Sequence, residues 1–150
     1  MAGRRASFII FSGSNMKYVN VVLGLIIHGD CILVGKKVDR YHPAGLGGLW
    51  VLPGGRVEDG EPFEVALQRE IQEETGLTVT IEQKLGEHLQ HLTDATVTLN
   101  YFRCRAISNV ARPGDDLELV TWLSKPDAYA RLAPPVKETF PFALAEWFQD

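Results

Sequence analysis

The chain has 150 residues, of which 45% are hydrophobic and 23% are charged, and its formal net charge at pH 7 is −4. This length and apolar content suffice for one domain with its own core. The negative balance excludes a broad basic surface of the kind that binds a nucleic-acid polymer, whereas a small anion can still be bound by a few local cations. No apolar run is long enough to span a membrane, so no membrane partner is expected.

The first 16 residues are predicted to form an extension ahead of a main domain at residues 17–150. Arg4 and Arg5 precede a four-residue apolar run at residues 8–11, which is too short for a secretory signal and has no small-residue cleavage site after it. A short apolar strand outside a domain commonly pairs with a sheet edge. We therefore expect this extension to pair with an edge of its own sheet or to form a homodimer contact.

The two cysteines favour a reducing compartment. Cys31 and Cys104 have neither metal-ligand spacing nor a secretory context. We expect reduced, buried thiols without a disulfide, in a cytoplasmic protein.

The first third of the chain has the pattern of a β-sheet. The expected elements are strands at 21–27 and 31–35, a hairpin turn at 28–30, and a loop over 38–48. The apolar run from Leu49 to Leu52 then suits a buried strand, and Pro53-Gly54-Gly55 predicts a tight loop directly after it. Because glycine has no side chain, Gly54 and Gly55 can offer main-chain groups to a ligand.

A helix is predicted between Glu61-Pro62 and Gly76. Proline is tolerated at the first helical position, acidic residues suit the positive end of the helix dipole, and glycine is a common C-terminal cap. At about 100° per residue, the apolar side chains form one stripe. Its members are Phe63, Ala66, Leu67 and Ile71.

Three carboxylates are predicted to lie on the same side of this helix as the apolar stripe. Glu70, Glu73 and Glu74 occupy its last turns, where each opposes the dipole by roughly 0.3–1 kcal/mol. The i,i+4 pair of Glu70 and Glu74 adds repulsion of roughly 0.2–0.5 kcal/mol, and Arg69 can offset only part of it by reaching Glu73. Oxygen ligands in this arrangement are what Mg²⁺ or Mn²⁺ prefers, so the pattern predicts either a bound divalent cation or, equally well for the helix alone, a solvated charged face.

The rest of the chain alternates irregularly between strands and helices, which predicts a mixed α/β domain. The expected elements are extended segments at 78–81 and 86–92, strands at 96–106 and 119–123, a loop at 109–116, a helical turn at 127–132, and a helix at 136–148 that is bent or starts late at Pro141.

The segment from Gly55 to Leu77 resembles the signature of the Nudix hydrolases. That signature is Gly, five residues, Glu, seven residues, Arg-Glu, an aliphatic residue, any residue, Glu-Glu, any residue, Gly and an aliphatic residue. This chain fills all nine fixed positions: Gly55, Glu61, Arg69, Glu70, Ile71, Glu73, Glu74, Gly76 and Leu77. The resemblance implies a Nudix α/β/α sandwich around a mixed, partly antiparallel sheet over roughly residues 17–149.

The resemblance also implies a metal site. It suggests Glu73, Glu74 and the Gly54 carbonyl as ligands of Mg²⁺ or Mn²⁺, and Glu70 as either a ligand or the general base, of which we favour the base. Arg69 is expected to orient the glutamates. A further carboxylate is often supplied from outside the signature, and Glu118, just before the 119–123 strand, is the candidate.

Asp115 and Asp116 follow Pro113-Gly114 and are interpreted mainly as turn residues. Candidate substrate contacts flank the expected groove. They are Lys36, Arg40, Gly55, Arg56 and Tyr101.

The resemblance implies a Mg²⁺-dependent hydrolase that cleaves a nucleoside diphosphate linked to another group. The substrate that we favour is a nucleoside or deoxynucleoside triphosphate, giving a monophosphate and pyrophosphate. ADP-ribose or another nucleoside diphosphate sugar is the alternative, although members of that branch often carry a proline about fifteen residues past the signature, where this chain has Leu92. A non-catalytic, nucleotide-sensing domain is disfavoured by the intact glutamate set.

Overall fold

The computed structural model describes residues 16–42 and 44–150, so the expected edge strand and dimer contact of the extension lie outside the described residues. Seven strands are β1 (Lys17–His28), β2 (Cys31–Lys37), β3 (Trp50–Val51), β4 (Gly54–Arg56), β5 (Val79–His91), β6 (Ala95–Ala106) and β7 (Leu117–Ser124). Four helices in the same part of the chain are α1 (Phe63–Thr75), α2 (Lys125–Arg131), α3 (Pro134–Lys137) and α4 (Phe142–Gln149).

The strands form one mixed sheet in the order β3-β2-β1-β6-β5, with β4 also paired to β1 and β7 to β2. The β1–β6 pair is parallel over a long register, from Lys17 opposite Ala95 to Ile27 opposite Arg105. The other pairs are antiparallel. The predicted mixed, partly antiparallel sheet is confirmed.

Helices cover both faces of this sheet, which confirms the α/β/α sandwich. On one face the apolar stripe of α1 packs on β1 and β6, with Ala66, Leu67 and Ile71 completely buried. On the other face α2 and α4 enclose a second core. Burial of each large aliphatic side chain stabilises the fold by about 1.5–3 kcal/mol, so α1 is held mainly by its packing.

The boundaries of α1 follow from the residues at its two ends. Pro62 is the N-cap rather than the first helical residue, with φ −62° and ψ 147°. Gly76 ends the helix in the left-handed conformation, φ 75°, and its amide bonds the Gln72 carbonyl. A glycine is suited to that position because a β-carbon disfavours positive φ.

The predicted tight loop at Pro53-Gly54-Gly55 is wrong, because Gly54–Arg56 forms strand β4. Leu23 lies opposite Gly54 and Val21 opposite Arg56 in this antiparallel pair. A β-carbon at Gly54 would overlap the carbonyl oxygen of Val22. The glycine therefore allows β4 to approach β1 closely. A glycine pair of this kind has the same sequence pattern as a loop, so the sequence does not distinguish the two.

Two further differences concern continuity. The two extended segments expected at 78–81 and 86–92 are one strand, β5, which carries irregularities between Ile81 and Gln83 and between Lys84 and Gly86. The helix expected from residue 136 is divided into α3 and α4, with Pro141 as the N-cap of α4.

Both cysteines are free, Cys104 buried and Cys31 half-buried. Burial raises the pKa of the Cys104 thiol to about 12. Within residues 16–42 and 44–150, no helix has the length and apolar character needed to cross a membrane.

Candidate active site

The three glutamates of α1 differ in exposure, although they follow one another around the last turns of the helix. Glu74 is 2% exposed, and the side chains of Glu70 and Glu73 are 13% and 48% exposed. The sequence predicted that all three point inward. The structure places Glu74 in the interior, Glu70 at its boundary and Glu73 at the outer rim.

Glu74 is fixed by strand β4. Its Oε1 accepts a hydrogen bond from the Gly54 amide at 2.9 Å. Burial, and secondarily the neighbouring Asp116 carboxyl, raises the pKa of Glu74 to about 9. The carboxyl is thus protonated at neutral pH unless a cation compensates its charge. Gly54 was predicted to act through its carbonyl, whereas the contact seen here is from its amide.

Arg69 forms hydrogen bonds with Glu70 and Glu73 of α1 and with Glu61, which precedes the helix. Its Nη1 donates to Glu70 Oε2 at 2.8 Å and to Glu73 Oε1 at 3.3 Å, and its Nε and Nη2 bind the Glu61 carboxylate at 2.8 and 2.9 Å. A fifth bond, at 3.1 Å, runs from Nη2 to the Arg56 carbonyl. The hydrogen bonds from Arg69 lower the pKa of Glu61 to about 2. Through these contacts Arg69 ties β4 to both ends of α1 and holds the carboxylates that it binds in one orientation.

Glu70 has a different electrostatic environment. Burial raises its pKa above the ordinary value, and the hydrogen bond and charge of Arg69 oppose that rise. Gly55 lies directly against it, since a β-carbon at Gly55 would overlap the Glu70 carboxyl group. The second glycine of β4 therefore provides the space that the Glu70 carboxyl fills.

A segment from the β6–β7 connection, which we call the acidic loop (residues 112–116), docks on the end of α1. The Arg112 amide bonds the Thr75 carbonyl at 3.0 Å, and the Gly114 amide bonds the Glu74 carbonyl at 2.9 Å. These bonds satisfy two of the carbonyls that a helix leaves unpaired at its C-terminus. Asp115 follows in the left-handed region with φ 54°, a backbone conformation that aspartate tolerates better than most residues.

The acidic loop brings two carboxylates to the glutamates of α1. In the part of the chain that the structure describes, two groups of three acidic residues are each compact enough to hold a cation. In each group, every residue offers one carboxylate oxygen, and these three oxygens lie within 4.8 Å of one another. Their members are Glu70, Glu73 and Asp115 in one, and Glu74, Asp115 and Asp116 in the other. Asp115 belongs to both, so the five carboxylates are contiguous, and we call them the carboxylate cluster.

The structure does not bring Glu118, the predicted additional ligand, to the glutamates of α1. Glu118 lies in neither acidic group and forms an ion pair with Lys36, Nζ to Oε2 3.3 Å. Asp115 and Asp116, interpreted mainly as turn residues, are the ones that reach α1. The two adjacent aspartates after Pro-Gly were the only signal, and turn propensity explains that pattern equally well.

The carboxylate cluster meets the chemical requirements of a hard divalent cation. All of its side-chain donors are oxygens, which is the ligand type that Mg²⁺ and Mn²⁺ prefer. Asp116 Oδ1 is buried and accepts no hydrogen bond within the described residues. Such an atom is costly to leave without a partner, and a cation or a shared proton removes that cost.

The predicted substrate contacts are dispersed. Arg56 lines a groove with Tyr18, Asn20 and Glu58 beside the start of β1. Arg40 is exposed in the loop after β2. Tyr101 is 2% exposed and its hydroxyl is 2.6 Å from Thr139 Oγ1, so, contrary to the prediction, it packs in the core and presents no face to a substrate.

Comparison with known proteins finds a family and several relatives. Residues 17–144 match the NUDIX domain family. An 8-oxo-dGTP diphosphatase of Proteus vulgaris is 44% identical over 88 residues, which cover 57% of this chain and 75% of that protein. A CTP pyrophosphohydrolase of Escherichia coli is 29% identical over 129 residues, which cover 83% and 93%.

A solved structure of a MutT protein from Methanosarcina mazei has a TM-score of 0.68 with this chain. It is 23% identical, and the match covers 89% of this chain and 91% of the other. This likeness concerns the fold. A relative from Mycobacterium tuberculosis is 36% identical over 98 residues, and the chain spans 66% of the length of that relative. With the family match over residues 17–144, the intact signature and the α/β/α sandwich, the chain belongs to the NUDIX domain family.

Proposed function

We propose that this chain is a Mg²⁺-dependent pyrophosphohydrolase of nucleotides that contain a diphosphate. The observation that carries the proposal is the carboxylate cluster, in which the acidic loop adds two carboxylates to three from the family signature. Five acidic side chains at one end of a helix repel one another, and a divalent cation converts that repulsion into binding.

In this proposal Glu73, Glu74, Asp115 and Asp116 hold the cation. Bound there, Mg²⁺ would neutralise charge on the diphosphate and lower the pKa of a bound water. Glu74 is held in place by the Gly54 amide, and Asp115 and Asp116 by the docking of the acidic loop. The protein thus presents ligands that need little rearrangement.

Glu70 is our candidate for the general base. Arg69 binds one of its oxygens, Oε2, at 2.8 Å and fixes the orientation of the carboxylate. Its pKa is raised by burial, and a carboxylate with a raised pKa accepts a proton from water more readily than an ordinary one does. We propose that its second oxygen, Oε1, takes the proton from the attacking water.

The substrate that we propose is a nucleoside or deoxynucleoside triphosphate, cleaved to a monophosphate and pyrophosphate. Two relatives support this choice by their names, the 8-oxo-dGTP diphosphatase of Proteus vulgaris and the CTP pyrophosphohydrolase of Escherichia coli. The identity of the base is the finer part of the proposal, because no base contact is defined by the carboxylate cluster.

A substrate panel tests the proposal. Purified protein is incubated with 8-oxo-dGTP, dGTP, CTP and ADP-ribose, in Mg²⁺ or in EDTA, and products are separated by ion-exchange chromatography. We expect monophosphate and pyrophosphate from at least one triphosphate, in Mg²⁺ only. Turnover of ADP-ribose alone would replace the proposed substrate class, and tight nucleotide binding without turnover of any compound would identify a sensing domain.

A further inference from the structure

Lys37, the last residue of strand β2, contacts the carboxylate cluster. Its Nζ lies 2.8 Å from Asp116 Oδ2. The two side chains are 13% and 29% exposed. This is a partly buried ion pair, in which charge is screened less than at the open surface.

The backbone already positions Asp116 without this ion pair. The Val38 amide donates to the Asp116 carbonyl at 2.8 Å. The next residue, Leu117, lies opposite Lys37 in the β2–β7 pairing, and its amide bonds the Gly114 carbonyl at 3.1 Å. The Lys37 ammonium therefore contributes mainly charge to this site.

The positive charge of Lys37 acts on Asp116, a member of the carboxylate cluster that Arg69 does not bind. The guanidinium of Arg69 binds Glu70 and Glu73, whereas Asp116 pairs with Lys37 and also faces the buried Glu74. A cation bound through Asp116 would lie close to the ammonium of Lys37. Two positive groups that share one carboxylate repel each other.

We propose that Lys37 is a resident counter-ion of the carboxylate cluster, which occupies one oxygen of Asp116 and weakens the binding of a divalent cation there. This inference rests on the proposed function, since it assumes that the cluster is the metal site. Lys37 stabilises the metal-free protein by offsetting the charge of Asp116, and it competes electrostatically with the metal. The lysine thereby sets the metal concentration at which the site fills.

The experiment measures Mn²⁺ binding to the full chain without nucleotide, by electron paramagnetic resonance of free Mn²⁺, together with the thermal midpoint of unfolding. The variants are Lys37→Met and Lys37→Gln; glutamine keeps a hydrogen-bond donor for Asp116 and removes the charge. Lys37→Arg keeps the charge. Lys36→Met is the matched control, because Lys36 pairs with Glu118 outside the cluster.

We expect both neutral variants to bind Mn²⁺ at least about tenfold more tightly, because the Coulomb repulsion between the Lys37 ammonium and the cation is removed. Their metal-free midpoint falls, and the rise in midpoint on adding Mn²⁺ becomes larger than in the wild type. Lys37→Arg and Lys36→Met stay within about twofold of the wild-type affinity.

Weaker or unchanged Mn²⁺ binding in both neutral variants would overturn the inference and assign Lys37 a positioning role or none. If only glutamine yields a folded protein, its affinity alone decides. Wild-type protein that binds no Mn²⁺ would instead contradict the proposed metal site itself, so the two failures are distinguishable.

Discussion

Gly55 of strand β4 lies directly against the carboxyl group of Glu70 in helix α1, and a β-carbon at position 55 would overlap that carboxyl group. The first position of the family signature therefore has to be glycine for a steric reason, because the carboxyl group of the glutamate fifteen positions later fills the space that a side chain would need. The backbone is not what demands glycine here, since Gly55 is absent from the residues with positive φ.

Replacement of Gly55 by alanine tests this relationship. The added methyl group forces Glu70 out of its place, and we expect hydrolysis to fall by at least about tenfold, since misplacement of a catalytic group by about 1 Å can cost a hundredfold. The control is Gly60→Ala. Its β-carbon meets no atom within 4 Å, but φ is 76°, so it should lose about 1 kcal/mol of stability and keep its rate.

A second prediction concerns Arg69→Met. The change removes ion pairs to Glu61, Glu70 and Glu73 and leaves the largely buried carboxylate of Glu70 without its guanidinium donor. We expect the free energy of unfolding, measured in urea, to fall by about 1–3 kcal/mol. Arg105→Met, which breaks a mostly exposed pair with Glu82, should cost less than about 1 kcal/mol. Equal losses in the two variants would contradict the positioning role of Arg69.

Asp115 and Glu118 offer a direct comparison of the observed cluster with the sequence prediction. Asp115→Asn removes a charge shared by both acidic groups, and asparagine also tolerates the positive φ at this position. We expect the Mg²⁺ concentration for half-maximal hydrolysis to rise by about tenfold or more, since loss of a group that only orients metal ligands already costs roughly 10–100-fold in affinity. Glu118→Gln should leave that concentration within about twofold. The reverse ranking would restore Glu118 as the additional ligand.

The lowered pKa of Glu61 predicts a pH dependence of stability. Its carboxylate is favoured in the folded state, with a pKa of about 2, relative to an ordinary value of 4.5 in the unfolded chain. The stabilisation is thus fully present above about pH 5 and is lost as the pH falls towards 2. Glu61→Gln should unfold more easily than the wild type at pH 6, and the difference in thermal midpoint should shrink on acidification to pH 3.

The helix, its ends and the glutamate spacing could be predicted from sequence because each depends on local information. Pro62 and Gly76 mark the ends of α1, and the signature fixes the positions of Glu70, Glu73 and Glu74 along it. Strand β4 could not be predicted, because its two glycines have the composition of a loop and its pairing with β1 is a long-range contact.

The docking of the acidic loop on α1 could not be predicted, for the same physical reason. Its docking depends on amide bonds from Arg112 and Gly114 to the end of α1, 37 or more positions earlier, and no periodicity reports such contacts. Tyr101 was assigned to substrate because aromatic residues serve both binding and cores. Its burial against Thr139 and Phe140 identifies the second role.

Glu74→Gln is the sharpest test of whether the carboxylate cluster holds the cation that hydrolysis requires. Glutamine keeps the shape and the hydrogen bond from Gly54, and removes a buried carboxyl whose pKa is about 9. A raised pKa lowers stability as the pH rises towards 9, so the metal-free variant should be at least as stable as the wild type at pH 8.

Mn²⁺ binding and Mg²⁺-dependent nucleotide hydrolysis should be measured on the same preparations of wild type, Glu74→Gln and Glu64→Gln, the last being an exposed glutamate in the first turn of the same helix. We expect Glu74→Gln to lose Mn²⁺ affinity and to hydrolyse at least about a hundredfold more slowly, since a catalytic metal contributes several kcal/mol, whereas Glu64→Gln matches the wild type. Wild-type Mn²⁺ affinity and wild-type hydrolysis in folded Glu74→Gln would contradict the claim.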